Sequence, residues 1–98
     1  MILVYDTFVC KPGNASKVAK MFKEAMAKNP YLMGIMTDMS GQYHRVVMAT
    51  GYKTLAEFET SYDEMMNKPT PEMKEAMEKM KGMQDMYTTG SREIYKTW

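Results

Sequence analysis

The sequence predicts an α+β domain of order βαββαβ, a four-stranded antiparallel sheet with helices on one face. Three observations carry this prediction. Stretches that read as strands lie near the beginning, the middle and the end of the chain. Stretches with a helical repeat separate them. The two middle strands are joined through Ser40-Gly41-Gln42, which is too short for anything but a hairpin. Ninety-eight residues make one domain, residues 1–98.

Each element has its own signal. Residues 2–10 form the first strand, with Ile2, Val4, Phe8 and Cys10 on one face and Leu3, Tyr5 and Val9 on the other. Lys11-Pro12-Gly13 turns the chain, and Asn14 is placed to cap the first helix. Val18, Phe22, Ala25 and Met26 recur at the spacing of one helix face. Asn29-Pro30 stops this helix, because a residue before proline disfavours helical backbone. Residues 31–39 and 43–52 are the hairpin strands. Thr54 with Glu57 makes a capping box for a second helix, whose expected buried stripe is Leu55, Phe58, Tyr62, Met65 and Met66. Lys68-Pro69-Thr70-Pro71 breaks it, and Pro71 opens an extra helix with Met73, Ala76, Met77, Met80 and Met83 on its apolar side. Gly82 weakens its end. Residues 91–98 form the last strand.

A strand covered on one side alternates apolar and polar residues. The first strand is apolar on both faces except at Asp6, so both faces require cover. One chain of this length supplies helices for one face only. The expected cover for the other is the matching sheet of a second copy, related by a two-fold axis, which closes a barrel with the helices outside.

Composition excludes several classes. Thirteen Lys and Arg against twelve Asp and Glu give a net charge of +1, which argues against a nucleic-acid or anionic-membrane partner. RNA-recognition domains share the βαββαβ order, but the third strand here, Arg45-Val46-Val47-Met48-Ala49, lacks stacking aromatics. Cys10 is the sole cysteine, so no internal disulfide or thiolate cluster can form. Asp6 and Asp38 interrupt the best apolar runs, so no membrane span is expected. With no signal-peptide pattern at the N-terminus, a cytoplasmic location is expected.

These residues resemble the dimeric α+β barrel superfamily, built on ferredoxin-like βαββαβ units. It includes antibiotic-biosynthesis-type and haem-degrading monooxygenases, EthD-like proteins and the NIPSNAP-like family. The resemblance rests on the strand ending in Lys11-Pro12-Gly13, on Thr37-Asp38-Met39-Ser40-Gly41, on the stretch from Gly51-Tyr52-Lys53-Thr54 to Glu59, and on the closing Arg92-Glu93-Ile94-Tyr95. It implies a homodimer through the sheet face and a pocket between each sheet and its own helices. In haem-degrading relatives the pocket uses an amide late in the first strand, a tryptophan on the second main helix and a later histidine. Asp6 matches the first position, Ser61 or Tyr62 falls near the second, and no histidine follows His44. The resemblance therefore implies no haem and no other cofactor, and leaves cofactor-independent quinol monooxygenases as the nearest chemistry.

Asp6 is the leading catalytic candidate, as a general base or as an anchor for a substrate hydroxyl. Its plain alternative is a salt bridge to Arg45 or Arg92, since the first strand of this fold lies between the third and fourth. His44 is the second candidate, the lone side chain with an ordinary pKa near neutrality. One histidine cannot hold a metal, and no metal site is expected. Tyr5, Phe8, Arg45, Tyr62, Arg92 and Tyr95 are candidates for binding a substrate, with core packing or ion pairing as the alternative for each. Met77, Met80, Met83 and Met86 recur every third residue. On a continuous α-helix this spacing drifts by about 60° per step, so the four thioethers are expected to form an adaptable surface rather than a copper site. The expected function is small-molecule binding in the sheet–helix pocket, with monooxygenase or isomerase chemistry on a quinol or other aromatic. The alternative is a non-catalytic dimeric ligand-binding or protein-interaction module.

Overall fold

The computed structural model describes residues 1–40 and 43–98. Strands β1 (Ile2–Cys10), β2 (Leu32–Thr37), β3 (Arg45–Tyr52) and β4 (Tyr87–Lys96) alternate with helices α1 (Ala15–Ala25), α2 (Leu55–Asn67) and α3 (Pro71–Lys79). A short 3₁₀ turn, Met83–Asp85, precedes β4. The sheet order is β2-β3-β1-β4, antiparallel throughout. This is the predicted α+β architecture.

Several boundaries differ from the sequence expectation: β2 and β3 are shorter than 31–39 and 43–52, and α3 ends at Lys79, before Met80 and Met83 of its expected apolar side. Helix α1 ends at Ala25, before Asn29-Pro30; the Asn29 side chain instead accepts a bond from the Tyr31 N–H at 2.8 Å and turns the chain into β2. Asn14 stands at the N-cap position, but its side chain makes no capping bond. Strand β4 begins at Tyr87 rather than 91. Gly90 does not interrupt it, because it pairs opposite Phe8, and a bulge at Val9/Cys10 takes up the irregularity. The Ser40-Gly41-Gln42 connection falls in part on residues 41 and 42, outside the described residues. At its margins the Asp38 carboxylate accepts from the Arg45 N–H at 2.7 Å, and His44 takes a positive φ of 65° with its carbonyl bonded to the Cys10 N–H. Histidine is among the residues that tolerate this region.

Opposed residues share a face, so the register sorts the sheet. Val4, Asp6, Phe8, Cys10, Val46, Met48, Thr50, Ile94 and Arg92 face the helices. The core lies at one end of that face, where Cys10, Val46, Val18 and Phe22 are buried and Phe8, Ile35, Met80, Met83 and Met86 pack around them. Helices α1 and α3 cover this end.

Helix α2 behaves differently. Its N-cap is as predicted, the Thr54 hydroxyl accepting from the Glu57 N–H at 3.1 Å. Its apolar stripe is not buried within the chain, however: Leu55 is 54% exposed and Met66 60%. Phe58 and Met65 are half-buried, and Phe58 lies 5.2 Å from Tyr52 between ring centroids. The opposite face of the sheet carries Leu3, Tyr5, Val9, Met36, Val47, Ala49 and Tyr95 beside Thr7, Arg45, Ser91 and Glu93, with no helix among the described residues over it. Met1 and Met33 extend it, lying over Gly51 where a Cβ would stand 2.5–2.6 Å from their side-chain ends.

Candidate functional site

One charged pair sits between the sheet and α2. Asp6 projects from the centre of β1 and is 8% exposed. Arg92 is its cross-strand partner on β4, and the Arg92 Nε donates to Asp6 Oδ1 at 2.6 Å. The guanidinium lies 5.1 Å from the Tyr62 ring centre and 5.6 Å from that of Phe58. Such a cation over aromatic faces is favoured by the ring quadrupole. Burial by itself lowers the Arg92 pKa, but the hydrogen bond and negative charge of Asp6, with a smaller contribution from Tyr62, raise it above the usual arginine value. The result is a fixed cation held by one carboxylate under a lid of two aromatic rings.

Arg92, not Arg45, is therefore the ion-pair partner of Asp6. Because Nε is used by Asp6, the terminal nitrogens of the fork remain chemically suited to oxygen acceptors. Met48, opposite Asp6 on β3, supplies an apolar flank. Phe58 and Met48 were not among the sequence candidates. The signal for Phe58 was its four-residue spacing from Tyr62, which puts both rings on one helical face.

The other candidates separate. Phe8 shares the helix-facing side but belongs to the core, with ring centroids 5.1 Å from Phe22 and 5.0 Å from Tyr87. Tyr5 and Tyr95 lie on the opposite face, 5.5 Å apart, and the Tyr95 hydroxyl donates to Glu93 Oε2 at 2.6 Å. Arg45 lies on that same opposite face, across from Val9. His44 stands at the end of β3, four positions from the residue opposite Asp6, or about 13 Å along a strand. The structure thus assembles Asp6, Arg92 and Tyr62, and leaves His44, Arg45, Tyr5 and Tyr95 elsewhere. Cys10 is buried, and burial raises its thiol pKa, so it is a packing residue.

Two concavities, of about 410 and 450 Å³, are lined by Lys74–Gln84 residues and by Met1, Tyr31 and Lys53 with their neighbours; neither is lined by Asp6 or Arg92. Among the described residues, no three or more His, Cys, Asp or Glu side chains come together to hold a metal. No helix among them is long and apolar enough to cross a membrane.

No family model matches the sequence, and no curated protein matches it. The fold, by contrast, has clear relatives among solved structures. An uncharacterised NIPSNAP domain protein from Burkholderia xenovorans superposes with a TM-score of 0.79 at 13% identity, covering 100% of this chain and 95% of that one. A NIPSNAP family protein from Agrobacterium tumefaciens gives 0.74 at 12% identity over 97% and 90%. A protein from Nitrosomonas europaea, assigned by name only to the antibiotic biosynthesis monooxygenases, gives 0.62 at 14% identity over 99% and 98%. The chain therefore has the fold of the NIPSNAP and antibiotic-biosynthesis-monooxygenase structures, as its residues suggested. At these identities the likeness extends to the fold alone.

Proposed function

We propose that this protein is a homodimeric α+β barrel that binds a small aromatic, oxygen-bearing molecule between α2 and the helix-facing side of the sheet. The observation that carries this reading is the Asp6–Arg92 pair beneath Phe58 and Tyr62, under a helix that buries none of its own side chains. An isolated ion pair in such a place adds little to stability. It does present a cation fixed in position and direction, with aromatic surfaces beside it. Arg92 suits a phenolate, carboxylate or carbonyl oxygen, and Tyr62 and Phe58 suit the ring that carries it.

Within this reading the enzymatic form is a cofactor-independent monooxygenase or isomerase of a quinol-type substrate. Asp6 would then take the proton of a substrate hydroxyl. One observation favours the non-catalytic form: the Asp6 carboxylate is already engaged by Arg92, so it must exchange that partner before it can act as a base.

The test is native mass spectrometry of the purified protein, followed by ligand soaking with a panel of quinols and aromatic acids monitored by thermal shift. Binding to the wild type that is lost in both Arg92→Met and Tyr62→Ala, with the dimer retained, supports the site. Binding that survives both substitutions removes it. Turnover of a bound quinol that disappears in Asp6→Ala supports the enzyme; unchanged turnover eliminates Asp6 as the base.

A further inference from the structure

The Asp6–Arg92 pair is joined through one atom on each side. Arg92 Nε donates to Asp6 Oδ1 at 2.6 Å, and among the described residues no second hydrogen bond links the two groups. An arginine that meets a carboxylate squarely makes two parallel bonds and uses both oxygens. Here Oδ2 takes no hydrogen bond from a described residue, yet no fully buried side-chain oxygen or nitrogen among them lacks a partner. Oδ2 is therefore open to solvent, although Asp6 as a whole is buried. The other half of the pair is open as well. Arg92 stands on β4, an edge strand, and its terminal nitrogens keep N–H donors beyond the one spent on Asp6. A free acceptor and free donors thus stand side by side, with the Tyr62 and Phe58 rings close to the guanidinium.

We infer that the site selects an aromatic ring with oxygens on two adjacent carbons, a catechol. One hydroxyl donates to Asp6 Oδ2, and the neighbouring oxygen accepts from a terminal nitrogen of Arg92. This inference rests on the ligand site proposed above and names its substrate class. A ligand with a single oxygen satisfies only half of the pair. A carboxylate or phenolate placed on Arg92 also faces the charge of Asp6, and like charges repel. A phenol that accepts from Arg92 strips water from Oδ2 without giving it a new partner, which is costly for an acceptor on a buried residue. Hydroxyls on opposite ends of a ring cannot both reach one ion pair whose joined atoms are 2.6 Å apart. Two neighbouring oxygens can. A neutral diol also matches a pair whose own charges cancel.

The experiment is isothermal titration calorimetry of the full chain with catechol, resorcinol, hydroquinone, veratrole, phenol and benzoate, under nitrogen so that the diols stay reduced. Catechol should bind most tightly. Resorcinol, hydroquinone, phenol and the doubly methylated veratrole should bind roughly ten- to hundredfold more weakly, as expected for the loss of one hydrogen bond to a charged group. Asp6→Asn replaces the free acceptor with an amide and should bring catechol down to the level of phenol. Arg92→Met should remove binding of every compound. Equal binding of catechol and phenol, both lost in Arg92→Met, would overturn the inference and leave the aromatic site standing. A preference for benzoate, or a preference for catechol that survives in Asp6→Asn, would also overturn it. Failure of every compound to bind would remove the site and the inference together. Should Asp6→Asn fail to fold, the wild-type ranking of catechol against hydroquinone and veratrole decides alone.

Discussion

At the scale of residues, Asp6 and Arg92 share one contact but not one environment. Asp6 is almost wholly buried, whereas the Arg92 side chain is 41% exposed. Removing the arginine strands a buried carboxylate; removing the carboxylate leaves an arginine that can turn toward water. Arg92→Met should therefore cost about 2–3 kcal/mol, below the fully buried case because water screens the pair. Asp6→Asn should cost about 1 kcal/mol, the worth of one hydrogen bond. Urea denaturation of the two variants checks the asymmetry, and equal losses would contradict it. Tyr95 makes a different kind of contact, on the open side of the sheet. Its hydrogen bond to Glu93 is the largest cause of its raised pKa, followed by burial and by the charges of Glu93 and Tyr5. A raised folded pKa means that the pair's stabilisation is complete below the ordinary tyrosine value of about 10 and is lost as pH climbs through the raised one. Glu93→Gln should bring the Tyr95 midpoint down, read from tyrosinate absorbance as the difference between each protein and its Tyr95→Phe counterpart. A midpoint that stays put would show that Glu93 is not the cause. Asp6 was legible in the sequence because a lone charge in an apolar strand needs a reason. Its choice of Arg92 over Arg45 was not, since the two arginines face opposite sides of the sheet and only the register tells them apart.

At the scale of elements, the regular pieces were legible and their ends were not. The apolar run of β1 fixed both its limits, and the Thr54 and Pro71 signals fixed where α2 and α3 begin. The last strand was expected over 91–98 and runs over Tyr87–Lys96; Gly90, opposite Phe8, continues the ladder. The apolar stripe of α2 had the right period and the wrong inference attached to it. Periodicity reveals that a face is apolar, not that the same chain covers it. Helix α2 buries no side chain and is held by its cap and by the Phe58 and Tyr62 contacts, whereas α1 buries Val18 and Phe22. Local opening follows such differences in burial. Amide hydrogen exchange should be faster along α2 than along α1, and Thr54→Ala should speed it further by removing a cap worth about 1 kcal/mol. A ligand seated under α2 should slow exchange there and leave α1 unchanged. Equal protection of the two helices in the free protein would mean that α2 is held by contacts other than these.

At the scale of the whole molecule, the unequal faces of the sheet matter most. The helix-facing side has a core cluster at one end and a polar pair with aromatics at its middle. The opposite side offers Leu3, Tyr5, Val9, Met36, Val47, Ala49 and Tyr95 with no helix of its own above them. Thr7, Arg45, Ser91 and Glu93 share this face, but apolar side chains grouped without cover are costly in water and favour an interaction there. A second copy is the simplest cover, because a two-fold axis presents each sheet with its own complement. Val47 is the sharpest place to test this. It sits mid-strand on β3 between Thr7 and Met36, and its side chain makes no contribution to the core around Phe22. Val47→Lys should leave the chain folded, because the lysine can extend into water on the open side. It should at the same time prevent pairing, because two buried ammonium groups would face one another or apolar surface across the axis. Sedimentation equilibrium should give the wild type twice the chain mass of 11.3 kDa and the variant the single chain mass. Far-ultraviolet circular dichroism should be the same for both. A wild type that sediments as a single folded chain would refute the barrel. A Val47→Lys protein that still dimerises would place the interface on another surface, with the exposed stripe of α2 the next to be tested.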